Sequence, residues 1–213
     1  RPRNRAAAVL GACCVFSKMA LVFSSLNIGL QRSQAAGRRA NRRFEAVARG
    51  VRVAFQEVGV DVMGLCEVGE SREDKLGGLS RDQSRQLLDA IQAAMPGVAL
   101  EVHLDAIGYP YMLLSKKGIN GDVTNVSVVD GFLRQRYRKA VRATLVAPGI
   151  DGAASLSVDV WLVHLASSKN HDLTDTVREE MLAHLATGHP TVIAGDINTT
   201  ELYLCLLYTS PSP

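Results

Sequence analysis

The hydrophobic positions of the chain change their period several times, and each change predicts a new element of secondary structure. Apolar runs at 20–28, 60–70 and 191–194 are typical of strands that are buried in a sheet. Between the first two runs, residues 37–58 repeat their apolar positions at helical spacing, and Gly59 ends that helix. This part of the chain therefore has the order strand, helix, strand.

Two capping signals predict further helices. Ser80 and Gln83 form a capping box after the second strand. Thr176 and Glu179 form another, which opens a helix that leads to the run at 191–194. Strand-like runs fill the interval between these helices, at 98–104, 109–115, 122–130, 140–147 and 156–165. Because strands in succession form antiparallel hairpins, the pattern predicts an α/β fold with two packed sheets of mixed direction.

The composition is that of a globular protein with one core. Of the 213 residues, 47% are hydrophobic and 21% are charged, which is enough apolar material for one sizeable domain. The net charge is +3, and arginines cluster at 37–43 and 134–142. Such clusters are either solvated faces or surfaces that contact phosphates. The four cysteines show no C-x-x-C spacing, so the sequence supports neither a zinc site nor a disulfide framework.

The two ends of the chain differ in character from the middle. Residues 1–19 place three arginines before an apolar stretch, as a secretory leader does, and an upstream segment outside the domain is the alternative. We expect the domain at 20–199 and an atypical tail at 200–213, which is either a hydrophobic element followed by a disordered end or non-native sequence. No apolar run reaches the roughly 18 residues of a membrane span. A reduced, intracellular location is slightly favoured, and secretion through a leader at 1–19 is the alternative. The sequence does not determine the oligomeric state.

Polar side chains follow four of the predicted strands, at the point where each strand ends. These side chains are Asn27, Glu67, His164, Asp196 and Asn198. Each has an ordinary structural explanation, such as an Asx turn, a surface acid or a buried histidine in a strand. In open α/β sheets, however, ligands bind in the crevice beyond the carboxyl ends of the strands. Taken together, the five residues therefore indicate a functional site.

In this order the residues resemble the endonuclease/exonuclease/phosphatase superfamily, over residues 20–199. The family's first strand ends in asparagine, matched by Asn27, and its leucine-glutamine-glutamate motif is matched by "LCE" at 65–67. Its histidine-leucine strand is matched at 164–165, and its glycine-aspartate-phenylalanine-asparagine motif by "GDIN" at 195–198. The resemblance implies a DNase I-like four-layer sandwich, two mixed β-sheets flanked by helices, which is incomplete at the C-terminus.

The resemblance also implies a role for each residue in phosphate-ester hydrolysis. Glu67 would hold Mg²⁺, with Mn²⁺ as a substitute, and Asn27 would orient that carboxylate or the shell of the metal. Asp196 would position or deprotonate the attacking water. Asn198 would donate to the phosphoryl oxygens, and His164 would donate a hydrogen bond or a proton on the phosphate side.

Two basic residues of a middle strand complete the expected site. Arg138 and Lys139 would add positive charge toward the scissile phosphate, and an exposed position on the strand is the alternative for both. Because basic residues cluster along the chain, we expect a nucleic-acid phosphodiester as the substrate. Other phosphate esters, including phosphoinositides and inositol phosphates, are the alternative substrates, since one fold serves many functions.

The family's last motif, serine-aspartate-histidine, has no counterpart after Asn198. From the resemblance we therefore expect a fragment that is inactive as it stands. The same observation supports a second hypothesis, a non-catalytic binding or scaffold domain of this fold. A nucleotide-binding doubly wound domain is a third class, but the sequence contains no glycine-rich phosphate loop.

Overall fold

The computed structural model describes residues 14–15, 21–30, 38–72, 75–130, 139–149, 154–164 and 190–196. One sheet contains β1 (Cys14–Val15), β2 (Val22–Leu30), β3 (Val62–Arg72), β4 (Lys75–Gly78), β5 (Leu100–Leu104) and β6 (Tyr111–Lys116). The other contains β7 (Asp122–Asp130), β8 (Lys139–Ala147), β9 (Leu156–His164) and β10 (Thr191–Asp196). The described helices are α1 (Arg38–Arg52), which a π-helix (Val53–Val58) continues, and α2 (Arg81–Ala94).

Both sheets mix parallel and antiparallel pairs, as the element order predicts. The first has the order β1-β2-β3-β6-β5, with β4 paired to β3, and the second has the order β10-β9-β8-β7. The described parallel pairs are β2 with β3 and β9 with β10. The other pairs are antiparallel. Each sheet therefore has one adjacent pair of strands whose carboxyl ends lie at the same edge.

Two hydrophobic layers hold the described part of the domain together. The helices cover one face of the first sheet, where Phe44 and Leu87 pack with Leu65 of β3. The other face packs on the second sheet, where Phe23 and Val160 belong to one buried cluster. This arrangement of helices, sheet and sheet confirms the predicted α/β sandwich in the residues that the structure describes. No helix among them is long and apolar enough to cross a membrane.

The structure confirms most of the predicted elements and adds two strands. The α2 capping box forms as expected, because the Ser80 hydroxyl accepts from the Gln83 N–H at 3.3 Å and the Gln83 side chain accepts from the Ser80 N–H. Strand β4 lies in a stretch that has no hydrophobic periodicity and for which the sequence predicts no strand. Strand β1 lies within the segment assigned to a leader. The helix predicted at Thr176 is outside the described residues.

The two sheets are in close contact through β3 and β9. Gly64 is the third residue of β3, and a Cβ at this position would be 2.8 Å from both terminal methyl carbons of Leu162 on β9. Leu162 is 1% exposed, so it fills the space that the missing side chain leaves. Because Gly64 lies three residues before Glu67 and Leu162 two residues before His164, this contact sets the separation of the strands that carry those residues.

We expect Gly64→Ala to destabilise the protein by about 1–3 kcal/mol, because the added methyl overfills a close-packed contact. Leu162→Ala alone should cost about 2–5 kcal/mol by leaving a cavity. In the double variant each change relieves the other, so the loss should be smaller than the sum of the two. Urea unfolding of the four proteins measures the coupling, and additive losses would show that the two residues do not share this contact.

Candidate active site

The two strands that carry Glu67 and His164 bring these residues together where the sheets meet. Glu67 lies on β3, and His164 is the last residue of β9. A Glu67 carboxylate oxygen, Oε1, lies 3.1 Å from His164 Nε2. The His164 side chain is 6% exposed and that of Glu67 is 26% exposed. The pair therefore forms a mostly buried polar contact with a partly open side, as the sequence pattern led us to expect.

A local change of backbone conformation turns Glu67 toward the second sheet. In β3, Val62 and Cys66 belong to the clusters between the sheets, whereas Met63 and Leu65 belong to the helix-side cluster. Strict alternation would therefore point residue 67 at the helices. Glu67 has instead a φ of +58°, in the left-handed region that residues other than glycine seldom adopt. Backbone strain of this kind concentrates at functional sites.

His164 reaches the same space by regular alternation along β9. Val158, Val160 and Leu162 all face the space between the sheets, and His164 follows them at the same two-residue interval. His164 is 5% exposed as a residue. A buried imidazole needs a fixed polar partner, and the Glu67 carboxylate supplies one. A histidine in this position can hold or deliver a proton at Nε2.

Asn27 and Gly29 lie beside the pair, at the end of β2. Asn27 is paired in register with Cys66, the residue before Glu67. Its side-chain oxygen accepts from the Gly29 N–H at 3.0 Å, which is the local turn that we considered as its alternative role. Gly29 has a φ of +54°, and a Cβ there would lie 3.5 Å from Glu67 Oε2. The turn thus keeps side-chain atoms away from the second oxygen of the carboxylate.

Asp196 lies next to His164 at the end of the parallel strand β10. The two residues are register partners, as are Gly195 and Val163. Gly195 has a φ of +124°, and a Cβ there would overlap the carbonyl oxygen of Val163. Glycine is therefore required directly before Asp196. The backbone of Asp196 lies beside that of His164, and only its backbone is described.

The remaining predicted residues lie outside the described side chains. Asn198 and Arg138 are outside the described residues, and Lys139 is described through its backbone alone, as the first residue of β8. The sequence analysis missed Tyr111, whose hydroxyl accepts from the His164 N–H at 3.0 Å. Within the sequence, Tyr111 is one apolar position at the start of a predicted strand, and no motif distinguishes it.

The donor atoms of this site fit a hard divalent cation. Among the described residues, no group of three or more His, Cys, Asp or Glu side chains assembles, and zinc sites depend on such groups. Mg²⁺ instead keeps several waters and needs only one or two carboxylates from the protein. Glu67 supplies a carboxylate and Asn27 an amide oxygen, so both residues are of the type that this ion prefers.

No protein-family model and no curated protein matches the sequence, whereas solved structures match the fold. Humanized D. rerio TDP2 with 14 mutations has a TM-score of 0.50 and 15% identity, covering 85% of this chain and 63% of that one. ANGEL2, a 2′,3′-cyclic phosphatase, has a TM-score of 0.49 and 15% identity, covering 89% and 56%. An endonuclease/exonuclease/phosphatase family protein from Bacteroides thetaiotaomicron has a TM-score of 0.48 and 11% identity, covering 86% and 65%.

These similarities bear on the architecture alone. This chain spans less than two thirds of the length of each of the three structures, 63%, 56% and 65%. At 15% identity and a TM-score of 0.50, the match to the humanized D. rerio protein establishes the fold. The four-layer sandwich expected from the sequence motifs is thus the correct fold class.

The left-handed backbone at Glu67 predicts a difference between two substitutions that remove the same carboxylate. Glu67→Gly should have a larger free energy of unfolding than Glu67→Ala by about 1 kcal/mol, because only glycine adopts this φ without steric cost. Chemical denaturation of both variants measures the difference. Equal stabilities, or a more stable alanine variant, would show that residue 67 is not held in this conformation.

Proposed function

We propose that this chain, which has the DNase I-like fold of the endonuclease/exonuclease/phosphatase superfamily, is a Mg²⁺-dependent phosphodiesterase that acts on nucleic acid. The observation that supports the proposal is the contact, 3.1 Å long, between Glu67 on β3 of one sheet and His164 at the end of β9 in the other. It combines an oxygen donor for a cation with a proton donor in one cleft, and hydrolysis of a phosphate ester uses both.

Glu67 and Asn27 are the residues that would hold the metal. The bound ion would neutralise phosphate oxygens and act as a Lewis acid. The strained backbone of Glu67 directs its carboxylate into the cleft, and the turn between Asn27 and Gly29 limits what can occupy the space beside it. Asn27 belongs to this turn through its side-chain oxygen. Its role is to fix the rim of the site as well as to add an oxygen donor.

His164 and Asp196 are the residues that would handle protons. The imidazole of His164 is buried, and its Nε2 faces the carboxylate of Glu67, so one ring nitrogen is oriented toward the cleft. A proton held there can be donated to the phosphate or to the leaving oxygen. Asp196 is the last residue of β10, which runs parallel to β9, and it is paired in register with His164. In this proposal its carboxylate activates the attacking water.

Exposed arginines on α1 support nucleic acid as the substrate. Arg42 and Arg43 are exposed, and α1 has no acidic residue in its first turn. Gly50, near the other end of the helix, packs against Leu26 in the middle of β2. Because α1 connects the parallel strands β2 and β3, its first turns lie toward the carboxyl edge of the sheet, where the candidate site is. Basic residues at that edge favour a polyanion.

Of the arginines in the second cluster, the structure describes the side chain of Arg142 alone. Arg142 Nε donates to the Asp159 carboxylate at 3.1 Å, and the guanidinium lies over the Trp161 ring, 5.6 Å from its centroid. Thr144 also donates to Asp159, at 2.9 Å. Arg142 is thus engaged in a local ion pair on β8 and β9, so the α1 arginines carry the argument for a phosphate backbone.

Metal binding is the first test of the proposed function. We expect Glu67→Gln to weaken Mg²⁺ and Mn²⁺ affinity by at least about tenfold, because the substitution removes the charged oxygen ligand and leaves the size of the side chain unchanged. Isothermal titration calorimetry of the 213-residue chain measures both affinities. Glu101→Gln is the matched control, since Glu101 is an exposed glutamate on β5 of the same sheet. Similar losses in the two variants would exclude Glu67 as the ligand.

Hydrolysis is the second test, with single-stranded DNA, duplex DNA containing an abasic site, RNA and inositol phosphates as substrates. In a chain that also includes the family's serine-aspartate-histidine motif, we expect Mg²⁺-dependent cleavage of a nucleic acid that EDTA abolishes and that His164→Ala lowers by about 10²- to 10⁴-fold. His103→Ala is the control, because His103 lies on β5 and bonds Ser115 instead of Glu67. Cleavage of inositol phosphates alone would contradict the proposed substrate. Metal or nucleic-acid binding without turnover would favour the non-catalytic binding domain.

A further inference from the structure

We propose that Tyr111, together with Cys66, is a positioning residue for His164; this inference rests on the function proposed above. The His164 N–H donates to the Tyr111 hydroxyl at 3.0 Å. The Cys66 thiol donates to the Val163 carbonyl oxygen at 3.6 Å. That N–H and that carbonyl belong to one peptide unit, which joins Val163 to His164. Side chains of the first sheet therefore hold both polar groups of a single peptide in the second.

The end of the β8–β9 ladder explains why this peptide needs such partners. In the described residues the ladder ends at the pair Val141–Leu162. One further hydrogen-bonded rung of the same register would place Lys139 opposite His164. The buried N–H of His164 instead meets the hydroxyl of Tyr111, which supplies the acceptor that the ladder does not. A backbone N–H at this depth is costly to leave without an acceptor.

Tyr111 and Cys66 are placed to act as one unit. They are register partners on the antiparallel strands β6 and β3, and they are 1% and 0% exposed. Both belong to the buried cluster that contains Leu162. Because Cys66 directly precedes Glu67, the same contact that holds the peptide before His164 also holds the strand that carries the carboxylate. The distance between the two groups of the candidate site thus depends on these side chains.

A positioning role for Tyr111 and Cys66 predicts a different result from a purely structural role. A structural hydrogen bond changes the stability of the protein when it is removed, and it leaves the surroundings of the His164 ring unchanged. A positioning bond changes the geometry between the imidazole and Glu67 as well. The imidazole Nε2–H of His164 can be observed by NMR in ¹⁵N-histidine-labelled protein, and this measurement requires neither metal nor substrate.

The decisive variant is Tyr111→Phe in the full 213-residue chain. We expect the His164 amide to exchange with solvent about tenfold faster or more, because its acceptor is gone. We also expect the Nε2–H resonance of His164 to shift or to broaden beyond detection. Ser115→Ala is the matched control, since Ser115 is also 1% exposed, lies on β6 and donates or accepts one hydrogen bond, at 2.7 Å from His103 Nε2. It should leave both signals in place.

A second variant keeps the test decisive if Tyr111→Phe does not fold. Cys66→Ala releases the carbonyl end of the same peptide and should shift the same ring resonance. An unchanged Nε2–H resonance in the folded variants would overturn the proposal, whatever their stability. The outcome is independent of turnover: displaced resonances in a protein without hydrolase activity would support positioning and contradict the proposed function. Where hydrolysis is measurable, Tyr111→Phe should lower kcat and leave KM unchanged.

Discussion

The conformation of a single residue on β3 determines whether the two sheets share a polar site. In a regular strand residue 67 would face the helices, as Met63 and Leu65 do. The left-handed backbone at Glu67 breaks this alternation and turns a carboxylate toward β9. A charged group that is three-quarters buried needs a partner, and the imidazole of His164 is the described group that meets it. The register of β9 brings His164 to this position, and Gly29 leaves space beside the carboxylate. Both features contribute to the site only because the backbone of Glu67 directs its side chain toward the second sheet.

The rest of the sandwich keeps that partner at a fixed distance. Gly64 lies three residues before Glu67 and lets Leu162 approach β3 closely. Close-packed interiors do not deform continuously. Two side-chain hydrogen bonds then span the sheets at the level of His164. Helices α1 and α2 support β3 from behind through their apolar faces. Packing sets the position of the strands, and polar contacts set the position of the reacting groups.

The sequence predicted the elements and the identity of the main residues better than it predicted their geometry. Hydrophobic runs that stop at polar residues led directly to Glu67 and His164. His164 does end β9, whereas β3 continues past Glu67 to Arg72 through its pairing with β4. The α2 helix was visible through Ser80, whose cap is a local interaction. The turn of Glu67 and the bond from Tyr111 were not visible, because each depends on a strand that is distant in sequence. Strand β4 was missed for a different reason: it has no hydrophobic pattern of its own and is defined by its hairpin pairing with the end of β3.

The buried thiol of Cys66 has a consequence for the motion of the molecule. It lies at the contact between the sheets, with no exposed surface, and a thiol reacts only when a reagent can reach it. A reagent in water therefore has access to Cys66 only in the moments when the sheets separate. Mass spectrometry resolves the labelling of Cys66 from that of the other cysteines. The labelling rate of Cys66 therefore measures how often the sandwich opens. Metal or substrate that bridges the strands would lower the labelling rate of Cys66.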